Sequence, residues 1–130
     1  MEQTIKFIGK IHSDLKTIED CPLQENENAP AACLEVFPSY TEGLKNIVEG
    51  NKLVILTWLH LANREIIKCH QRNEVGSEKF GVFSTRSPDR PNPIGLHTVT
   101  VISIVNGRMI KIMPIEVLDY TPVIDIKPFI

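Results

Sequence analysis

The apolar positions of this chain fall mostly in short alternating or continuous runs separated by polar, proline-marked stretches. Residues 4–13, "TIKFIGKIHS", place Ile5, Phe7, Gly9 and Ile11 on one face and predict a first strand. The alternation then stops. "DLKTIEDCPLQENENAPAA" is rich in Asp, Glu and Asn, holds two prolines, and reads as a long loop of a length that in a compact domain points to function. "CLEVFP" predicts a second strand. In "SYTEGLKNIVEG", Ser39 and Glu42 have capping-box spacing, Tyr40, Leu44, Ile47 and Val48 share a face, and Gly50 suits an exit, which predicts a helix over 39–50.

"KLVILTWLH" is a continuous apolar run of strand length, as expected of a central strand covered on both faces. "REIIKCH" continues it or forms another strand, "QRNEVGSE" is a loop, and "KFGVFS" is a strand again. "LHTVTVISIV" and "RMIKIMPIEV" flank Asn106-Gly107, the pair that favours the two positive-φ positions of a type I′ turn, so they predict a hairpin. "LDYTPVIDIKPFI" is a last extended segment. Six or seven strands with one short helix define a mainly β domain over residues 1–130, a single antiparallel-rich barrel or sandwich with long loops. Neither of the glycine-rich phosphate-binding patterns occurs in it.

Composition narrows the function classes. The 42% hydrophobic and 23% charged fractions are those of a globular domain, and the net charge of −2 supplies no general attraction to a polyanion. Nucleic acid would therefore need a local patch. No basic segment followed by an apolar run opens the chain, and no run reaches the ~20 residues that span a bilayer, so the expected location is the cytoplasm, without membrane association. Cys21, Cys33 and Cys69 are odd in number and widely spaced, which predicts free thiols and neither a disulfide framework nor a metal site.

The densest chemistry lies in "STRSPDRPNPIGLHTVTV", residues 84–101. Pro88, Pro91 and Pro93 fix three φ angles, and Arg86 and Arg90 offer planar forks to carboxylate or phosphate. Asn92 and Gly95 add a polar edge and room for close approach, while Asp89 could satisfy either arginine. A structural corner, a ligand loop and a proline-rich peptide ligand all fit these residues. In "DYTPVIDIKP", Asp125 and Lys127 share a strand face, either as a surface ion pair or as a pocket wall. His60, at the end of the most apolar strand, reads as a rim residue, and His12 and His97 as solvated or strand-facing residues without a role.

"FGVFSTRSPDRPNPIGLHTV" and "VLDYTPVIDIKPFI" closely resemble the two signature segments of the TsaA-like family, and "IGKIHS", "CPLQ", "LEVFPSYTEGL" and "LVILTWLH" resemble its remaining segments in the same order. The resemblance implies a homodimeric β-barrel that binds S-adenosylmethionine without a metal. It further implies N6-methylation of threonylcarbamoyladenosine at tRNA position 37. Carried over by position, cofactor contacts fall on Pro22, Leu23, Gln24, His60, Leu61, Arg86, Leu96, Asp119, Tyr120, Thr121 and Pro122. The chain departs from the family pattern at Tyr120, where glycine is usual, at Leu23, where arginine is common, and at "GNKLVIL", where a histidine is usual. It also stops where bacterial members carry an additional domain.

A delocalised N6 lone pair is a poor nucleophile, so a base that accepts its proton is expected, with Asp119, Asp125 and His60 as candidates. Lys68, Arg72, Lys79 and Arg90 are the expected contacts for an anticodon loop. Two other functions are compatible with the same cofactor site: methylation of a different acceptor, and a non-catalytic module that senses or delivers S-adenosylmethionine.

Overall fold

The computed structural model describes residues 2–14, 31–70 and 78–130. Eight strands appear: β1 (Gly9–His12), β2 (Ala32–Val36), β3 (Lys52–Trp58), β4 (Lys68–Cys69), β5 (Phe80–Gly81), β6 (Ile94–Asn106), β7 (Met109–Met113) and β8 (Thr121–Pro128). Six of them close into a barrel in the order β1-β2-β7-β6-β3-β8, with every pairing antiparallel, and β4 and β5 form a separate two-stranded sheet. The mainly β, antiparallel barrel expected from the sequence is the architecture found.

Alternation makes the core. Ile11, Leu34, Val36, Leu53, Ile55, Val99, Val101, Ile110, Ile112 and Val123 point inward and are buried. Burying a side chain of this kind contributes roughly 1.5–3 kcal/mol, so this inward row is the main stabilising element. The continuous run in β3 divides accordingly: Leu53, Ile55 and Thr57 are buried, and Val54, Leu56 and Trp58 stay half-buried outside. β6 serves two neighbours, pairing through Ile94 to Thr100 with β3 and through Thr100 to Asn106 with β7. Ile5 and Phe7, expected in the first strand, precede it and are exposed.

Two local expectations change. The segment expected as a helix over 39–50 forms a 3-10 helix at Pro38–Leu44, and the Ser39–Glu42 capping box is not made. Only Leu44 and Ile47 pack against the core, Val48 is exposed, and Asn46 adopts a φ of 76°, which ends helical geometry before a continuous apolar face is complete. At the β6–β7 hairpin neither Asn106 nor Gly107 enters the left-handed region. The turn lies instead at Gly107–Arg108 between the paired Asn106 and Met109, and the Asn106 Oδ1 accepts from the Arg108 amide at 3.0 Å.

Glycine is required where β1 meets β2. A Cβ on Gly9 would lie 2.1 Å from the Glu35 carbonyl oxygen, whereas one on Gly43 would meet nothing within 4 Å. Gly9→Ala should therefore lower stability by about 1–3 kcal/mol, and Gly43→Ala should change it by less than about 0.5 kcal/mol, as read from urea unfolding midpoints.

Candidate functional site

Register places most of the expected site residues at one end of the barrel. Ile11 pairs with Thr121, His12 with Cys33, Thr57 with Val123 and Trp58 with Ile94, so β1 and β3 end where β2, β6 and β8 begin. His60 and Leu61 follow β3, Arg86 precedes β6, and Asp119 and Tyr120 lead into Thr121 and Pro122 of β8. Leu96 lies two residues into β6, opposite Leu56 on the outer face. Asp125 also pairs with Leu56, farther from the rim, and its Oδ2 lies 3.2 Å from Lys127 Nζ, which is the surface ion pair. Pro22, Leu23, Gln24, Cys21 and Arg72 lie outside the described residues.

The proline-arginine loop divides its two arginines between different tasks. Arg90 donates to the carbonyls of Val82 (3.0 Å), Thr85 (3.1 Å) and Ser87 (3.1 Å), gathering the loop around one guanidinium. Asp89 pairs with neither arginine; its Oδ1 accepts from the Asn63 amide at 2.8 Å. Arg64 donates to Pro91 O (2.7 Å) and Asn92 Oδ1 (3.2 Å) while its guanidinium carbon stands 5.0 Å from the Trp58 ring centroid. These contacts tie the loop to the turn after β3 and leave Arg86 exposed at the rim.

The approach to β8 is equally constrained. Ser13 donates through its amide to Asp119 Oδ1 and through its hydroxyl to Val117 O, each at 2.8 Å, and the Tyr120 amide donates to Ile11 O at 2.7 Å. Thr121 returns its amide to Leu118 O at 3.2 Å, so Tyr120 occupies the third position of a turn and takes a φ of 67°. That is a conformation glycine adopts freely, and a side chain held there costs about 1–2 kcal/mol. The Tyr120 ring projects outward beneath Lys10 Nζ, 5.0 Å from its centroid.

The sequence pattern did not disclose the contact of His12 with Glu35, and it left the burial of His97 open. His97 is buried inside the barrel, its Nε2 2.8 Å from Thr57 Oγ1, with Gly95 leaving the space a Cβ would fill. His12 projects outward and its Nε2 lies 2.7 Å from Glu35 Oε1. That hydrogen bond holds the Glu35 carboxyl below its ordinary value near 4.5, with help from the charges of His12, Lys10 and Arg108 and against the effect of burial. His12, Ser13, Asp14, Ala32, Cys33, Lys111 and Asp119 line an open cavity of about 340 Å³. The available signal was the strand alternation, which put His12 and Glu35 on outward positions; only the β1–β2 register brings them together.

An antiparallel six-stranded barrel with its polar loops gathered at one rim is the class of protein these features define. Residues 10–130 match the tRNA-methyltransferase O N-terminal domain, and the chain belongs to that family. It is 36% identical over 129 residues to a probable S-adenosyl-L-methionine-binding protein of Methanothermobacter thermautotrophicus, covering 99% of this chain and 91% of the other. It is also 36% identical over 125 residues to an S-adenosyl-L-methionine-binding protein of Archaeoglobus fulgidus, covering 96% and 88%. A crystal structure of TrmO from Pseudomonas aeruginosa superposes with a TM-score of 0.76 at 28% identity, covering all of this chain and 55% of that one. The chain thus spans most of these two archaeal relatives, a third of a longer probable S-adenosyl-L-methionine-binding protein of Archaeoglobus fulgidus, and just over half of the solved structure.

A depressed carboxylate stabilises the fold above its unfolded pKa and ceases to do so as pH falls through its folded pKa. Wild type should therefore be more stable than Glu35→Gln at neutral pH, with the difference shrinking below the ordinary value near 4.5. Urea midpoints of both proteins from neutral pH to about pH 3 check this; a constant difference would mean that the charge of Glu35 is not what stabilises.

Proposed function

We propose that the protein binds S-adenosylmethionine at the rim formed by the ends of β1 and β3 and the start of β8, and methylates N6 of threonylcarbamoyladenosine in tRNA. The observation that supports this reading is that, in a member of this family, His60 and Leu61 follow the end of β3 at the rim where Asp119–Pro122 enter β8, with the loop that carries Arg86 tied to the turn after β3. The donor set suits the cofactor. Arg86 has a planar fork for the methionine carboxylate, Asp119 an acceptor for ammonium or ribose hydroxyls, and Leu61, Leu96 and Tyr120 are large apolar side chains left 59%, 46% and 59% exposed, as a flat adenine would use. Bound there, S-adenosylmethionine supplies a methyl group activated by its own sulfonium leaving group. The chain's part is to orient cofactor and acceptor, exclude water and receive the acceptor's proton.

The basic groups expected for tRNA separate in the same way as the arginines of the loop. Lys68 on β4 and Lys79 before β5 are exposed and available to phosphate, whereas Arg90 is committed to backbone carbonyls. A twofold partner would cover the outer face where Trp58 pairs with Ile94, since Ile94 is exposed there. Light scattering at micromolar concentration should give twice the mass of the 130-residue chain.

The archaeal relatives are named for S-adenosylmethionine binding, a name that fits equally an alternative reading, a module that binds the cofactor without transferring its methyl group. Incubation with methyl-labelled S-adenosylmethionine and tRNA bearing threonylcarbamoyladenosine, followed by nucleoside mass spectrometry, separates the two. Label on that nucleoside supports transfer; bound cofactor without label supports the module or another acceptor. Arg86→Ala should weaken S-adenosylmethionine binding by roughly 10- to 100-fold in calorimetry, the loss expected of a hydrogen bond to a charged group, with an unchanged melting temperature. Undiminished affinity would remove Arg86 from the cofactor site.

A further inference from the structure

Methylation at N6 leaves a proton to be taken up, and the groups at the rim differ in their fitness to take it. Asp119 has one carboxylate oxygen engaged by the Ser13 amide. Asp125 is paired with Lys127 on the outer wall, and His60 sits exposed in the turn after β3. His12 is held on two sides: its Nε2 is 2.7 Å from Glu35 Oε1, and its ring meets the Tyr120 ring edge-on at 5.6 Å.

An ionised carboxylate can only accept, so the hydrogen bond to Glu35 requires Nε2 to carry the hydrogen and leaves the lone pair of the neutral imidazole on Nδ1. Among the described residues Nδ1 has no hydrogen-bond partner. The ring lines the cavity of about 340 Å³ that also contains Asp119 and Lys111. A base fixed in one tautomer by a carboxylate, on the wall of a cavity, is the arrangement that proton abstraction needs.

We propose that His12 accepts the acceptor's proton through Nδ1, with Glu35 as the positioning residue that fixes its tautomer; this rests on the methyl-transfer reading above. The N6–H bond leaves its electron pair on nitrogen and its proton on Nδ1 as the new N–CH₃ bond forms. The methyl group's former bond pair passes to sulfur. The resulting imidazolium is stabilised by ionised Glu35 and then returns the proton to water.

The test measures single-turnover transfer to tRNA bearing threonylcarbamoyladenosine for wild type, His12→Ala and Glu35→Gln, with calorimetric S-adenosylmethionine binding for each. The ring tautomer of His12 is read in parallel by ¹⁵N NMR of the cofactor-free protein. His12→Ala should lose about 100-fold or more in rate, keep its cofactor affinity, and recover activity when free imidazole is added. Glu35→Gln should lose less, and its NMR spectrum should show the Nε2–H form giving way to a mixture of tautomers. A His12→Ala protein as fast as wild type overturns the proposal, as does a slow one that imidazole does not rescue. If His12→Ala does not fold, Glu35→Gln with wild-type rate and tautomer overturns it instead. A wild-type protein that binds S-adenosylmethionine but labels no tRNA refutes the methyl-transfer reading and this proposal with it, a result distinct from failure of the dyad alone.

Discussion

β1 is the seam on which the structure depends. Its four residues, Gly9–His12, pair with β2 on one side and β8 on the other, and among the described residues no other strand joins those two. So short a strand has few hydrogen bonds to give, and its hold is reinforced at each end. Gly9 lets the backbone of β2 approach, the Ile8 amide donates to Val123 O at 2.9 Å, and Ser13 anchors the segment before β8 through Val117 and Asp119. The same strand, with Ser13 directly after it, thus closes the barrel and positions Asp119 and Tyr120 at the rim. Stability and site geometry share one element.

Polar side chains around this rim fall into two groups with different consequences. Arg90, Arg64, Ser13 and Asp89 satisfy backbone groups that prolines and turns leave without partners, and in doing so give the loops a fixed shape. Arg86, His60 and Lys68 are exposed, available to a ligand because the first group has already met the demands of the fold. A preorganised loop of this kind lowers the ordering cost of binding, since its conformation is set before a ligand arrives.

Much of this was readable along the chain. The β-branched runs gave the strands and their inward faces, and the proline-arginine loop and the segment before β8 were correctly marked as unusual. Residues close in sequence but unequal in role were harder: Arg86 and Arg90 look alike in a row of letters, and only the positions of three carbonyls separate them. The helix over 39–50 was misjudged because spacing registers a potential face without asking whether the neighbouring surface can cover it. His12 and Glu35 lie 23 residues apart with a long polar segment between them, so their meeting depends on register, which no local pattern encodes.

Closure of the barrel also limits how anything can attach to it. With β1 joined to both neighbours, each of the six barrel strands is paired on both sides over at least part of its length. Over the stretches paired on both sides, a macromolecule recognises this barrel through side chains, on the outer wall or at the rim. Among the described residues, the small β4–β5 ribbon beside the proline-arginine loop has no further strand on either side, which makes it a sheet to which a partner's backbone could be added along its whole length.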